Sequence, residues 1–340
     1  MAARALKAGA IVFLVCVMVQ AGLSSTVQAA KYKWKVGTLA PKGVGWAVQV
    51  DKILVPHINQ ATNGELDLKV YWGGVMGDDE DYLRKMRIGQ LHAAGLSAQG
   101  AVLAVEEFSV TELPFLFNNF DEVDYIREKM ASTFDRIAEN RGYKLVAWID
   151  QDFDQIYSVK YKMDSLEDFG KARISTWFGP LEENLLESLG ANPIPIAVPE
   201  IAASVRSGIV DTLISPAIWM VGAQLYSVVK YVNPIKIRYS PALIIVSLDG
   251  WNMIPETHQK AMLNQRSELV ARFVQAVRKD NEKSLNAMIR YGVREVKMDE
   301  KDYATLKSQA VKVYDTMAGK LYEPELLEEL QGHLRDYRNQ

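Results

Sequence analysis

Twice in this chain, short segments of alternating apolar residues give way to segments with helical spacing and then to further strands. Residues 33–39 alternate and run into the turn Ala40-Pro41-Lys42-Gly43. Residues 44–61 then carry Trp46, Val50, Ile53, Leu54 and Ile58 on one side of a helix, which Asn63-Gly64 stops. Residues 65–72 alternate again, with Leu66, Leu68 and Val70 on one face. Gly73-Gly74 and a helix from about Asp78 lead to a short apolar strand at 91–97. The second set has helices at 121–140, 180–189 and 199–206, the last ended by Gly208. Its strands fall at 144–149, 156–159, 172–176, 194–197 and 213–216. Such alternation predicts α/β architecture, with largely parallel strands covered by helices.

After Pro255 there is no Gly or Pro until Tyr291 has passed, and the apolar spacing is helical. Unbroken, such a helix is about 55 Å long at 1.5 Å per residue, longer than one small lobe is wide. It is expected to brace two lobes. Two more helices, at about 300–320 and 324–337, finish the chain. Nothing between the two sets reads as a Ser/Pro tether, so crossing strands are expected to join the lobes.

The first thirty residues read as an export leader. Arg4 and Lys7 precede an apolar run at 9–23, and Val27-Gln28-Ala29 has the small-residue spacing of a signal-peptidase site. The run is short for a membrane span, which needs about 20 residues; a retained signal anchor is the alternative. Cys16, the single cysteine, falls inside the leader. The expected mature chain therefore stands without disulfides in the periplasm, which a large core tolerates. The whole chain has 39 basic and 42 acidic side chains. Removing Arg4 and Lys7 leaves 37 against 42, a balance of −5 with no basic field for nucleic acid. No second apolar stretch is long enough to insert the mature chain into a membrane.

Catalytic signatures are sparse. His57, His92, His258 and His333 are scattered without metal spacing, and neither G-x-S-x-G nor H-E-x-x-H occurs. Gly73-Gly74-Val75-Met76-Gly77 lacks the Lys-Ser/Thr of a phosphate loop and reads as a tight turn. No enzyme activity, metal or cofactor is expected.

Arg173 is the leading candidate for a ligand contact. Strand alternation sets Lys171, Arg173 and Ser175 on one face, either as a solvated edge or as a guanidinium forking onto a carboxylate. Trp177 and Phe178 follow one strand end, and Trp219 follows the Ser215-Pro216 turn at another. Ligands in open α/β sheets gather at the carboxyl ends of strands, which raises both tryptophans above ordinary core aromatics.

Several segments, taken in order, resemble the solute-binding proteins of tripartite ATP-independent periplasmic (TRAP) transporters, of the dicarboxylate-binding type. They are Gly37-Thr38-Leu39-Ala40-Pro41 with Trp46, and Thr62-Asn63-Gly64-Glu65-Leu66 with Gly73-Gly74-Val75-Met76-Gly77. Glu112-Leu113-Pro114-Phe115-Leu116-Phe117 and the run from Leu166 to Pro216 complete the likeness, which covers roughly residues 36–254. It implies a two-lobed, type II-like periplasmic binding fold with mixed sheets flanked by helices and a long bracing C-terminal helix. The lobes are expected at 31–152 with about 240–256, and at 153–239, with 257–340 packing on both.

The resemblance also implies capture of a carboxylate-bearing small molecule by lobe closure and its delivery to a TRAP permease. Arg173 then corresponds to the carboxylate clamp, and Ser215 stands where many members place an Asn. Trp46, Gln99, Trp177 and Trp219 complete the expected contacts with Asp154. Some positions depart from the pattern. Gly170-Lys171-Ala172-Arg173 is one residue short of the usual clamp segment, and Thr212 replaces a Gly. Asp154 occupies the place of a second Arg, which disfavours dicarboxylates. Two rival readings are an exported enzyme acting on organic acids and a carrier of hydrophobic ligands working with a helical-repeat partner.

Overall fold

The computed structural model describes residues 30–177 and 179–340. The leader residues, including Cys16 and the cleavage motif at Ala29, lie outside that range, as does Phe178. Strand β1 (Tyr32–Thr38) is followed by α1 (Trp46–Gln49), a π-helical turn (Val50–Leu54) and α2 (Val55–Ala61). Next come β2 (Leu66–Tyr71), α3 (Asp79–Arg87), β3 (Ala93–Leu96), α4 (Ala98–Ala104) and a 3₁₀ segment (Glu106–Glu112). Helices α5 (Phe120–Lys129) and α6 (Ala131–Asn140) precede β4 (Tyr143–Ser158). The second set is α7 (Leu166–Lys171), β5 (Arg173–Thr176), α8 (Pro180–Ser188), β6 (Asn192–Pro195), α9 (Val198–Ser207), β7 (Thr212–Ser215) and α10 (Ala217–Gly222). Strand β8 (Tyr231–Ser247) returns, followed by α11 (Leu248–Asn252), α12 (Glu256–Asn264) and α13 (Arg266–Tyr291). Strand β9 (Arg294–Glu295), α14 (Glu300–Ala310), α15 (Val313–Met317) and α16 (Pro324–Arg338) end the chain.

One mixed sheet runs through the molecule in the order β2-β1-β3-β8-β4-β7-β5-β6, with β9 on β8. Parallel strands β2-β1-β3 form one half and β7-β5-β6 the other. The antiparallel pair β4/β8 belongs to both. Its strands have 16 and 17 residues, so each spans about 55 Å at 3.3–3.4 Å per residue. The first part of β4 pairs with the end of β8, Tyr143 opposite Ser247, and its last part with the start of β8, Ser158 opposite Tyr231. Pairing slips at Leu145/Ala147, Asp150/Asp152 and Asp154/Ile156. Such bulges bend a strand and increase its twist. The two strands expected at 144–149 and 156–159 are thus one continuous element.

Three further expectations are corrected. The helix expected at 44–61 begins at Trp46 and loosens at Val50–Leu54, where the Val55 N–H reaches back five residues to the Val50 carbonyl. Pro56 explains the slip, because it has no N–H to give the preceding turn. The helix expected at 121–140 divides at Met130 into α5 and α6. The long helix breaks at Gln265. Just after the break, Arg266 forks onto both Asp135 carboxylate oxygens at 2.7 and 2.8 Å and donates to the Leu145 carbonyl. Helix α13 is therefore 26 residues, about 39 Å.

That length still serves both halves. Leu269, Phe273, Val274 and Val277 pack into the core of the first half, with Trp34, Ile149 and Ile244. Met288, Leu285 and Ile289 pack into the core of the second, with Leu213 and Met220. Between them, buried Asn281 accepts from the Ile218 backbone N–H at 2.9 Å and donates to the Gln151 carbonyl at 2.8 Å. One side chain thus ties α13 to α10 and to the bulged middle of β4. Asn281→Leu strands both backbone groups, each worth about 1–3 kcal/mol when buried without a partner. Urea denaturation is expected to show a loss of about 2–4 kcal/mol.

Candidate functional site: an apolar cleft between the two halves

A cleft of about 1080 Å³, open solvent at its mouth included, lies where the two halves meet. Trp46 and the loop after β1 supply one wall, from Thr38 to Pro41. Trp177, just past β5, and Pro216 and Trp219, just past β7, supply the other. Both β5 and β7 run parallel, so their carboxyl ends open on the same side of the sheet. Trp177 and Trp219 pack edge to face, with ring centroids 4.7 Å apart. Ser97, Thr38 and Gln151 are the polar side chains of the lining, which contains no Asp, Glu, Lys, Arg or His. The Trp46 indole N–H is buried and has no acceptor among the described residues.

The rims of the cleft touch. A Cβ placed on Gly45 (φ +56°) would lie 3.1 Å from Ile218 Cγ1 of α10. Gly222, at the end of α10, faces Val44 and Pro41. At Gly45 the absence of a side chain lets the halves approach closely.

Of the seven residues singled out in the sequence, the structure brings Trp46, Trp177 and Trp219 to this cleft. It does not bring the other four. Arg173 starts β5, four residues before Trp177 and thus about 13 Å away along the strand. Its side chain is 53% exposed, and its Nε lies 3.3 Å from Asp211. That is the position of a solvated strand edge, outside the cleft lining. Ser215 is fully buried and donates to the Pro216 carbonyl. Gln99 sits in the first turn of α4, outside the lining. Asp154 is fully buried behind the cleft, where its Oδ2 accepts from Arg238 Nε at 2.8 Å and from Ser240 Oγ at 2.5 Å.

Arg238 is the charged residue that sequence reasoning missed. It lies on β8 directly opposite Asp154 on β4 and is 2% exposed. Two more buried carboxylates face its guanidinium, Glu182 at 3.3 Å and Glu112 at 3.6 Å. Glu182 Oε2 in turn accepts from Thr176 Oγ1 and from the Trp177 backbone N–H, at 2.7 and 2.9 Å. The cluster thereby holds the cleft wall in place. The signal was available: Arg238 stands between Ile237 and Tyr239 in an apolar run, and Asp150, Asp152 and Asp154 alternate along β4.

One guanidinium cannot balance three buried carboxylates. Burial pushes the Glu112 carboxyl up to about 8, with Arg238 opposing the rise and Asp154 and Glu182 adding to it. Burial likewise pushes Asp152 up to about 8 and raises Asp154. Under the cleft floor, burial lifts Asp79 to about 6, although Ser97 donates to it from both Oγ and the backbone N–H.

Comparison with known proteins places this arrangement. The profile of the bacterial extracellular solute-binding proteins, family 7, matches residues 46–321. The chain belongs to that family. Its members are solute-binding transport proteins. Over 296 residues the chain is 24% identical to the C4-dicarboxylate-binding periplasmic protein DctP of Rhodobacter capsulatus, covering 86% of each. A TRAP periplasmic solute-binding protein of Haemophilus influenzae with bound L-gulonate shares the fold, with a TM-score of 0.82 at 19% identity over 90% of this chain and 99% of that one. The sugar acid binding protein of Advenella mimigardefordensis in complex with galactonate gives 0.83 at 16% identity, over 90% and 99%. Among the described residues of this family 7 chain, no helix is long and apolar enough to cross a membrane.

Two outcomes test the buried cluster. Arg238→Met leaves three carboxylates without their cation, and breaking a buried pair in this way removes about 3–5 kcal/mol. Denaturant titration is expected to show that loss. Glu112 has its folded pKa raised above the unfolded value. Its contribution to stability is therefore full below the unfolded pKa of about 4.5 and is lost as pH rises through about 8. Glu112→Gln is expected to flatten the fall in stability between pH 5 and 8.5, by at most about 1.4 kcal/mol per pH unit. A slope identical to wild type would remove Glu112 from the linkage.

Proposed function

We propose that the chain is the periplasmic solute-binding component of a TRAP-type uptake system, and that its solute is a small molecule with one carboxylate and an apolar body. The observation that carries this reading is the lining itself: four tryptophans (Trp46, Trp72, Trp177 and Trp219), Phe273, aliphatic side chains and a few neutral polar groups, with no charged side chain. Family membership supports solute capture outside the cytoplasm. L-gulonate and galactonate in the neighbouring structures support a carboxylate as the polar group. Trp46 Nε1, lacking an acceptor, and Thr38 and Gln151 are the groups suited to hold it. A second carboxylate would enter an apolar space with no cation to receive it, which is strongly unfavourable.

In this reading the halves act as two lobes that close on the solute, and a permease recognises the closed form. The bulges at Asp150/Asp152 and Asp154/Ile156 give the bend, close to the boundaries expected at 152/153 and 239/240. The leader supplies export. A second reading, a carrier of neutral hydrophobic solutes, is favoured by the same charge-free lining.

Thermal-shift titration with matched monocarboxylates, dicarboxylates and neutral analogues distinguishes them, because a binder stabilises the folded state by RT ln(1 + [L]/Kd). Monocarboxylates with apolar bodies are expected to give the largest shifts. Dicarboxylates as the strongest class would refute the proposed solute, and neutral analogues as the strongest would select the second reading. Trp219→Ala is expected to weaken binding by tenfold or more, whereas Arg173→Ala leaves it within about threefold, ~0.65 kcal/mol. Calorimetry reads both.

A further inference from the structure

We propose that the cleft continues into a slot inside the first half of the molecule, and that this slot takes an unbranched apolar chain of the solute while its polar head stays at the mouth beside Trp46. This rests on the solute-binding reading above and specifies the class of solute.

The first observation is where the inner lining comes from. Val36, Leu68 and Ile244 lie on one face of the sheet, with Val50, Leu54 and Phe273 across from them on the π turn and α13. All six belong to or pack against the hydrophobic core of the first half. The space therefore runs between a sheet and the helices that cover it, where close packing is the rule.

Burial along the strands gives the second. Trp34 and Leu66 are buried at the start of β1 and β2. Two residues further along the same faces, Val36 and Leu68, and then Val70, are only half-buried. Register pairs Trp34 with Leu68 and Val36 with Val70, so the filled core opens progressively toward the cleft. These side chains point inward and still lack neighbours on one side, which forfeits dispersion contacts unless something occupies the space.

The third is the π turn. It sits at Val50–Leu54, the stretch that faces the slot, and Pro56 dictates it. Turns of this kind recur at functional sites because they displace a helix wall locally. Ala242 on β8, small among its branched neighbours, leaves the opposite side open. Apart from Phe273 the walls are aliphatic, which suits a methylene chain better than a sugar-like body. At the mouth, Trp46 has the indole N–H without an acceptor, a donor for a carboxylate or hydroxyl head.

The test is calorimetry on the full mature protein with two homologous series, saturated monocarboxylates and primary alcohols from four to twelve carbons. Affinity is expected to rise about fourfold per methylene, the increment for burying one CH₂, and then to level off where the slot ends. Ala242→Leu and, separately, Leu68→Phe are expected to bring the plateau forward and to weaken the long members more than tenfold, while the four- and five-carbon members lose far less. The second variant changes a half-buried position and guards against misfolding of the first. A rise confined to the alcohols would support the slot and remove the carboxylate from the proposed function. Short acids that bind with no dependence on length would overturn the slot and leave the proposed function standing. Absence of binding in both series would also overturn it.

Discussion

The Arg238–Asp154 pair is the interaction on which the arrangement of both halves depends. The two residues face each other across β8 and β4 at the middle of the only strand pair that crosses the described molecule. A slip of one residue in that pairing would turn one of them to the opposite face of the sheet. An unpaired charge would then sit in an apolar interior, so the alternative register is heavily penalised. Buried pairs contribute little net stability compared with well-packed apolar residues, and in some proteins they select one arrangement over another. Here that selection acts on the register of a strand pair that both halves share.

The same cluster explains the character of the cleft. Arg238 is turned away from the lining and is committed to Asp154, Glu182 and Glu112. Glu182 is committed in turn to Thr176 and to the backbone of Trp177. Charge is thus used behind the wall to position it, and the wall itself is apolar. In the proposed reading, an anionic solute in this cleft has no guanidinium among the lining residues. It meets neutral donors, and selectivity falls to the shape and length of its apolar part.

The sequence made the α/β alternation legible because each element carries its own local signals. Asp78 caps α3 with a reciprocal bond to Asp81, and Gly208 ends α9 in the left-handed region at φ +76°. Trp177 and Trp219 were legible from their positions just past strand ends, and Trp46 from the likeness of its segment to a known family; Trp72, just past β2, was missed. Arg173 and Arg238 were not distinguishable locally, since both sit on strands between apolar neighbours. Which of them is buried depends on where each strand lies in the sheet. Arg173 begins β5, next to the edge strand β6, whereas Arg238 is on central β8. Asp154 was singled out as a ligand contact, and its partner in the structure, Arg238, lies 84 residues away on the returning strand. The slip at Val50–Leu54 needed only Pro56, which the helical spacing around it concealed.

In the proposed two-lobe reading, closure depends on the apolar area it removes from water. The rims meet through Gly45 against Ile218 and Gly222 against Val44, and glycine offers little side-chain surface to bury. Rim contact alone therefore supplies a weak drive. Moving a two-state equilibrium from 1:99 to 99:1 requires about 5.5 kcal/mol of differential binding. At ~25 cal/mol per Å² that corresponds to about 220 Å² of apolar surface removed from water only in the closed form. A single aromatic side chain buries about 150–250 Å². The facing surfaces of Trp46 on one half and Trp177 and Trp219 on the other, joined through a bound apolar body, are of that order. A solute that fills the space completes both walls at once, whereas an empty closed form leaves those surfaces against a void. Occupancy of the apolar space, more than any contact between the rims, then sets the closed population.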